Sequence, residues 1–234
     1  MNAVVFANET GLEADILSDV LQGFGYDIAV IWRERYRGVP RQEGIDLVVS
    51  LGSDWSLTSP AVVKQVAHEL ETLSDAHQRG VPVIGICFGA QLLSNALGGK
   101  VSRAIKPEIG WHDVEATNSL QAIAGKWMQW HYDVFTVPIE AELLAINLSG
   151  PQAFRIGRSF GTQFHPEVSR RLLEQWISNG GAKELRAIEI DPAVLLHESE
   201  AHYESSNHRF KLLLKWFFEF VAYSHTDKKR TIRL

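Results

Sequence analysis

Only one cysteine, Cys87, occurs among the 234 residues. No intrachain disulfide can form, which fits a reducing compartment and leads to the expectation of a cytoplasmic protein. Long apolar runs are also missing. None approaches the roughly 20 residues needed to cross a bilayer, so no membrane association is expected. Met1–Ala7 enters an apolar, strand-like run at once, without a basic segment and a long apolar stretch, so no signal peptide is expected. An excess of positive charge is absent too. Lys and Arg number 23 against 28 Asp and Glu, a net charge of -5. That speaks against a dedicated nucleic-acid binder, which needs a basic face. There is no Gly-x-x-x-x-Gly-Lys-Ser/Thr loop and no Gly-x-Gly-x-x-Gly after a strand, so no nucleotide, flavin or nicotinamide cofactor is expected. His197, His202 and His208 lack thiolate companions and ligand-like spacing. They read as solvated side chains, so no metal is expected. No repeat, low-complexity tract or linker divides the chain. It reads as one domain over residues 1–234, large enough to bury a core without disulfide or metal.

What is present alternates strand with helix. Ala3–Ala7 is a short apolar run, read as a buried strand, and Asp27–Trp32, Asp46–Leu51 and Val81–Ile86 read as three more strands. Between them, Leu12, Ile16, Leu17, Val20 and Leu21 recur at helical spacing until Gly23 and Gly25. Residues Ser59–Gln78 form a second helical stretch, with Ser59 in place to cap and Pro60 suited to the first turn. Continuous apolar strands alternating with helices predict an α/β fold: an open, mostly parallel sheet with helices on both faces. Residues 101–138 carry more turn residues and read as antiparallel pieces. Phe154–Gly157 and Gly161–Phe164 read as two strands about a turn, followed by a helix near Arg170–Ile177. Residues 179–207 are polar, partly helical, and read as an insertion. A closing amphipathic helix carries Phe210, Leu213, Leu214, Phe217, Phe218 and Val221, a stripe that suits core packing. Asp227–Leu234 is a basic tail.

The chemistry concentrates in two segments. Gly85-Ile86-Cys87-Phe88-Gly89 has the form Gly-x-nucleophile-x-Gly between an apolar strand and a helix. Such a turn is sharp, and small residues flank the nucleophile because a side chain there would strike the opposing backbone. The turn lifts the sulfur to the C-terminal end of a strand, where open α/β sheets place their ligand sites, and sets it at a helix N-terminus, which favours thiolate. An isolated cysteine would read as structural; this context reads as catalytic. In Gln163-Phe164-His165-Pro166-Glu167, alternate residues of an extended segment project to one side. Glu167 is thereby placed to orient His165 while His165 faces the sulfur. Alone, His-x-Glu would be a turn and a solvated charge. Beside the elbow, it completes a set of nucleophile, base and orienter: Cys87, His165 and Glu167.

Together these residues resemble the class I glutamine amidotransferase family, and within it stand-alone proteins similar to the amidotransferase domain of GMP synthase. Gly85–Gln91 resembles the family's nucleophile motif and Gly161–Glu167 its His-Pro-Glu motif. Glu108–Trp111 and His131–Pro138 occupy the places of two further family segments. The resemblance runs from Ala3 to about Ile177 and implies a flavodoxin-like fold of that class. It also implies attack of Cys87 on the γ-amide of glutamine, a γ-glutamyl thioester, and ammonia released for a separate synthetase. The resemblance assigns the oxyanion hole to the backbone N–H groups of Phe88 and Gly52, and substrate contacts to Gln91, Glu108 and His131. Glutamine or another γ-glutamyl amide is the implied small-molecule partner. The loop Leu51-Gly52-Ser53-Asp54-Trp55-Ser56 departs from the family's common Gly-Gly-Pro, and Trp55 is expected to reshape the pocket. Two alternatives remain open: a free-standing γ-glutamyl amide hydrolase, and a catalytically silent regulatory subunit.

Overall fold

A computed structural model of the chain describes residues 1–9, 15–36, 38 and 43–223. Leu12 of the first helical repeat and the basic tail at Asp227–Leu234 lie outside the described residues. The strands are β1 (Asn2–Ala7), β2 (Asp27–Trp32), β3 (Leu47–Ser50), β4 (Val83–Ile86), β5 (Val101–Ala116), β6 (Gly125–Phe135), β7 (Glu142–Asn147), β8 (Gly150–Ile156) and β9 (Ser159–Thr162). The helices are α1 (Asp15–Gly23), α2 (Pro60–Gln65), α3 (Ala67–Gln78), α4 (Phe88–Ala96), α5 (Arg170–Trp176), α6 (Ala182–Ala187), α7 (Pro192–Glu200) and α8 (Tyr203–Trp216).

All nine strands join one sheet in the order β2-β1-β3-β4-β9-β8-β7-β5-β6. From β2 to β9 the pairs are parallel; from β9 to β6 they are antiparallel. The sheet is therefore mixed, not mostly parallel. A parallel pair needs a long crossover, usually a helix, and from β5 to β9 no α-helix separates consecutive strands. The helices do cover both faces. Alternate residues of a strand point to opposite faces, and β1 shows both. Ala3, Val5 and Ala7 pack with Leu17 and Leu21 of α1 and with Phe210, Leu213 and Leu214 of α8. Val4 and Phe6 pack with Leu73 of α3 and Leu92 and Leu93 of α4. Burial on both sides is why β1 reads as an unbroken apolar run. A third cluster joins Ile109, Trp111 and Met128 of the long β5–β6 hairpin to Leu173, Leu185 and Leu195 of α5, α6 and α7.

Three local expectations change. The stretch Ser59–Gln78 divides at Val66, whose φ of -95° and ψ of 8° interrupt the helix. Ser59 occupies the N-cap position but its side chain makes no capping bond, while Pro60 does open α2. Strand β7 had no counterpart in the sequence reading. Residues 179–207 carry α6, α7 and the first turn of α8. The closing stripe is core: Phe210, Leu213, Leu214, Phe217, Phe218 and Val221 are all buried. Among the described residues no helix is long and apolar enough to cross a membrane.

Candidate active site

Strand β4 ends at Ile86, Cys87 follows it, and α4 begins at Phe88. The backbone of Cys87 stands at φ 51° and ψ -109°, a region that L-residues avoid and that costs about 1–3 kcal/mol. Neighbouring bonds hold it there. Its N–H donates to the Thr162 carbonyl at 2.7 Å, and its carbonyl accepts from Gln91 N–H at 3.0 Å. The flanking glycines let α4 lie directly on the sheet. A Cβ at Gly89 would come within 1.9 Å of the Ser50 carbonyl oxygen, and one at Gly85 within 2.6 Å of the Gly89 carbonyl oxygen. Gln163 Nε2 donates to Cys87 Sγ at 3.7 Å, and Sγ lies 3.8 Å from the Trp130 carbonyl.

Just past β9, the chain crosses to β6, where His165 N–H donates to the Met128 carbonyl at 2.8 Å. This places His165 close enough to Cys87 to feel its charge. Its Nδ1 meets Glu167 Oε1 at 2.8 Å, and its ring packs edge-on against Trp176 with centroids 4.6 Å apart. Both His165 and Glu167 are buried. Burial alone would lower the pKa of His165. The charges of Glu167 and Cys87 and the bonds to both outweigh it and push the imidazole up to about 10. Among the described residues, Glu167 Oε2 has no hydrogen-bond partner.

The structure gathers most of the residues singled out from the sequence around one cavity. Cys87, His165, Glu167, Gly52, Phe88, Gln91 and His131 all line it. Gly52 borders His165 so closely that a Cβ would sit 2.7 Å from the ring's Cε1. Gln91 Nε2 donates to the Asp133 carbonyl at 3.0 Å, so this side chain ties α4 to β6. Glu108 is not among the residues that line the cavity. Its carboxylate is engaged behind the wall, by His131 Nε2 at 2.9 Å, Asn147 Nδ2 at 2.6 Å and Gln152 Nε2 at 3.3 Å. Burial pulls its pKa up, but bonding to His131 and the charges of His131 and His112 hold it below the ordinary carboxylate value. The second ring nitrogen of His131 meets the Asp133 carbonyl at 3.1 Å, so the ring is fixed from both ends.

Several lining residues were not anticipated. Trp130 and Tyr132 reach the cavity from β6 and Trp176 from the end of α5. Glu184 of α6 accepts from Trp130 Nε1 at 3.2 Å and from the Tyr132 hydroxyl at 3.5 Å. Trp55 lines the cavity as expected and also packs on the second core cluster. Ser56 donates to Asp133, joining the loop after β3 to β6. With seven tryptophans in the chain, composition gives no signal for which of them face a cavity. Trp130 and Tyr132 were nonetheless adjacent to the named His131. Under the same loop lies a buried ion pair, Arg33–Glu69, at 2.8 Å. Among the described residues no group of three or more His, Cys, Asp or Glu side chains could hold a metal ion.

Residues 57–184, more than half of the chain, match the family described as glutamine amidotransferase class-I. A glutamine-hydrolysing GMP synthase from Aeropyrum pernix is 37% identical over 158 residues, covering 62% of this chain and 29% of that protein. One from Thermus thermophilus is 36% identical over 118 residues, covering 44% and 23%. The chain thus spans less than a third of the length of these curated relatives. Among solved structures, a glutamine amidotransferase from Thermotoga maritima superposes with a TM-score of 0.84 at 25% identity, over 94% of this chain and 98% of that one. A glutamine amidotransferase from Methylobacillus flagellatus gives 0.80 at 22% identity, over 93% of each, a likeness of fold.

Proposed function

The chain belongs to the class-I glutamine amidotransferase family, and from that premise we propose that it hydrolyses the γ-amide of glutamine through a thioester on Cys87. Ammonia is released for use by a synthetase partner. The observation that carries this reading is the convergence of a strained cysteine elbow with a His165–Glu167 pair at 2.8 Å on one cavity. In the proposed reaction the Cys87 sulfur attacks the amide carbon and the C=O electrons move onto oxygen. The C–N bond then breaks as the His165 imidazolium gives its proton to the departing nitrogen. A pKa raised to about 10 keeps that proton on His165 at neutral pH. Water next attacks the thioester, His165 takes a proton from it, and glutamate leaves the sulfur. Glu167 holds the ring throughout and offsets its positive charge.

The tetrahedral intermediates place negative charge on oxygen, which fixed backbone donors stabilise best. Phe88 opens α4, and the first N–H groups of a helix have no intrahelical acceptor. Its N–H and that of Gly52 are the proposed pair. Gln91 and His131 form the substrate-facing wall beside them, with Glu108 holding His131 from behind.

One observation favours the free-standing hydrolase as a second reading. Trp55, Trp130, Tyr132 and Trp176 give the cavity an aromatic lining, suited to an apolar substituent on the leaving nitrogen. Hydrolysis of glutamine and of γ-glutamyl alkylamides, compared by kcat/KM, tests both. Preference for glutamine supports the amidotransferase, and preference for an alkylamide supports the hydrolase. Turnover of neither sinks the thioester mechanism.

A further inference from the structure

Arg33 follows β2, and its main-chain N–H continues the pairing to the Ala7 carbonyl at 2.9 Å. Its side chain is 1% exposed, yet no part of it lines the cavity. Glu69 of α3 neutralises it through Nε at 2.8 Å and Nη2 at 2.9 Å. The rest of the guanidinium fork turns to Asn8, just past β1, and to the segment around the end of β3. It donates to Asn8 Oδ1 at 2.8 Å, Ser50 Oγ at 3.1 Å, the Leu51 carbonyl at 2.9 Å and the Gly52 carbonyl at 3.2 Å. Two successive carbonyls of the loop bordering Cys87 are therefore held by one buried side chain.

We propose that Arg33 is a positioning residue for the oxyanion hole: by holding the Leu51 and Gly52 carbonyls, it aims the Gly52 N–H at the oxygen of the tetrahedral intermediate on Cys87. The inference rests on the thioester chemistry proposed above. Its geometry follows from the peptide bond. A trans peptide is planar, and its carbonyl and N–H point in opposite directions. The described residues contain no cis peptide. With the Leu51 carbonyl drawn toward Arg33, the N–H of the same peptide, that of Gly52, faces away from it. Gly52 borders the reacting groups: a Cβ built on it would sit 2.7 Å from His165 Cε1 and 3.7 Å from Cys87 Cβ. Among the described residues no acceptor pairs with this N–H. It is free for substrate.

Arg33 also makes the orientation permanent. Flipping the Leu51–Gly52 peptide would break the charge-assisted bond from Arg33 to the Leu51 carbonyl, and a buried carbonyl left without its partner is costly. The hole is thus formed in the free protein and does not wait for substrate to turn the loop. Because Glu69 neutralises Arg33, the effect on the intermediate is one of aim and not of added positive charge.

The test uses two variants of the full chain. Arg33→Lys keeps the charge but cannot fork across Glu69 and two carbonyls at once. The double variant Arg33→Met with Glu69→Met removes the pair together, so that neither charge is left buried alone. Thermal unfolding confirms that each is folded. For the double variant, kcat on the preferred γ-glutamyl amide is expected to fall about 10²-fold, with KM changed by no more than about threefold. Arg33→Lys falls between it and wild type. Two further readouts separate aim from general damage. Alkylation of the single cysteine by iodoacetamide, which forms no oxyanion, stays within about twofold of wild type. Affinity for glutamate γ-semialdehyde, which forms a tetrahedral adduct with a thiol, falls by the same factor as kcat/KM. A folded double variant with wild-type kcat overturns the inference. If wild type itself turns over no γ-glutamyl amide, the proposed function fails, and crystal structures then read the orientation directly. A rotated Leu51–Gly52 peptide in the double variant supports the role of Arg33, and an unchanged one refutes it.

Discussion

Replacing Gly52 with alanine adds one methyl group at the most crowded point of the site. That carbon would sit 2.7 Å from His165 Cε1, where ordinary contact begins at 3.4 Å, so the ring must withdraw by about 0.7 Å. It has little room to do so. Trp176 packs behind it with centroids 4.6 Å apart, and Glu167 holds Nδ1 at 2.8 Å. The φ of Gly52 lies outside the left-handed region, so alanine meets no backbone penalty and the variant should fold. The sulfur is spared as well, since the new carbon stands 3.7 Å from Cys87 Cβ, an ordinary contact. Misplacing a catalytic group by about 1 Å costs on the order of 10²-fold in rate, equivalent to roughly 2.7 kcal/mol of barrier. Steady-state hydrolysis should therefore show kcat down by that factor with KM little changed. Iodoacetamide should still label Cys87 at nearly the wild-type rate. A Gly52→Ala protein that retains kcat within about threefold of wild type would refute the reasoning, because the imidazole would then have moved without consequence.

Cys87→Ala should abolish turnover with the fold intact, and a glutamine-mimicking electrophile should give one adduct, on Cys87, by mass spectrometry; modification elsewhere would contradict the assignment. His165→Ala should lose nearly as much, because such groups act as a unit, while Glu167→Gln should be milder, since glutamine still accepts a hydrogen bond; the order of the three rates is the readout. The imidazole of His165, followed by NMR, should titrate near 10 instead of its ordinary 6.5, and lower in Glu167→Gln. Because the folded state holds this proton more tightly than the unfolded chain, the stability it brings is complete below about 6.5 and is lost as pH rises toward about 10; calorimetric Tm should fall across that window, and less steeply in Glu167→Gln. Gly89→Ala should be poorly tolerated, its Cβ falling 1.9 Å from the Ser50 carbonyl oxygen; urea unfolding should show a loss at or above the upper end of the usual overpacking range of about 1–3 kcal/mol.

The parts of this protein that were legible in sequence are those whose signals are local. An apolar strand, a glycine, the cysteine, a glycine and a helix lie within a few residues, and so do His165, Pro166 and Glu167. Short-range stereochemistry nearly determines their arrangement. Strands β1, β3 and β4 were readable because burial on both faces makes them nearly unbroken apolar runs, and the half-exposed edge strand β2 because Ile28–Trp32 is apolar throughout. The balance of parallel and antiparallel pairing was not. It depends on which strands meet after β5, and β7, with the adjacent Leu144 and Ala145 buried and Glu142 and Ile146 exposed, lacks the alternation that marks a half-buried strand. Glu108 was named through resemblance to a family segment, and the direction of its side chain, with the carboxylate turned to His131, has no local signal. Arg33 carried no signal at all. Its partners are Asn8, Ser50 and Glu69, and a pair 36 positions apart has no spacing rule to announce it.

Nothing adjustable stands between Gly89 and the Ser50 carbonyl. Side chains settle into one rotamer or another and give way when their neighbours change, but a main chain resting on a main chain has no such freedom. The height of the sulfur above the sheet is accordingly referenced to a hard stop, much as a machined part is seated against a datum surface. Substitutions among Leu73, Leu92 and Leu93, which fill the space alongside, can loosen or tighten the helix without shifting where it bottoms out. The cost of that arrangement is an absence of any remedy. A methyl group added at the stop cannot be offset by trimming something opposite it, since what lies opposite is peptide. Positional tolerance at the reacting atom and sequence tolerance in the surrounding layer are thus decoupled, the first narrow and the second wide.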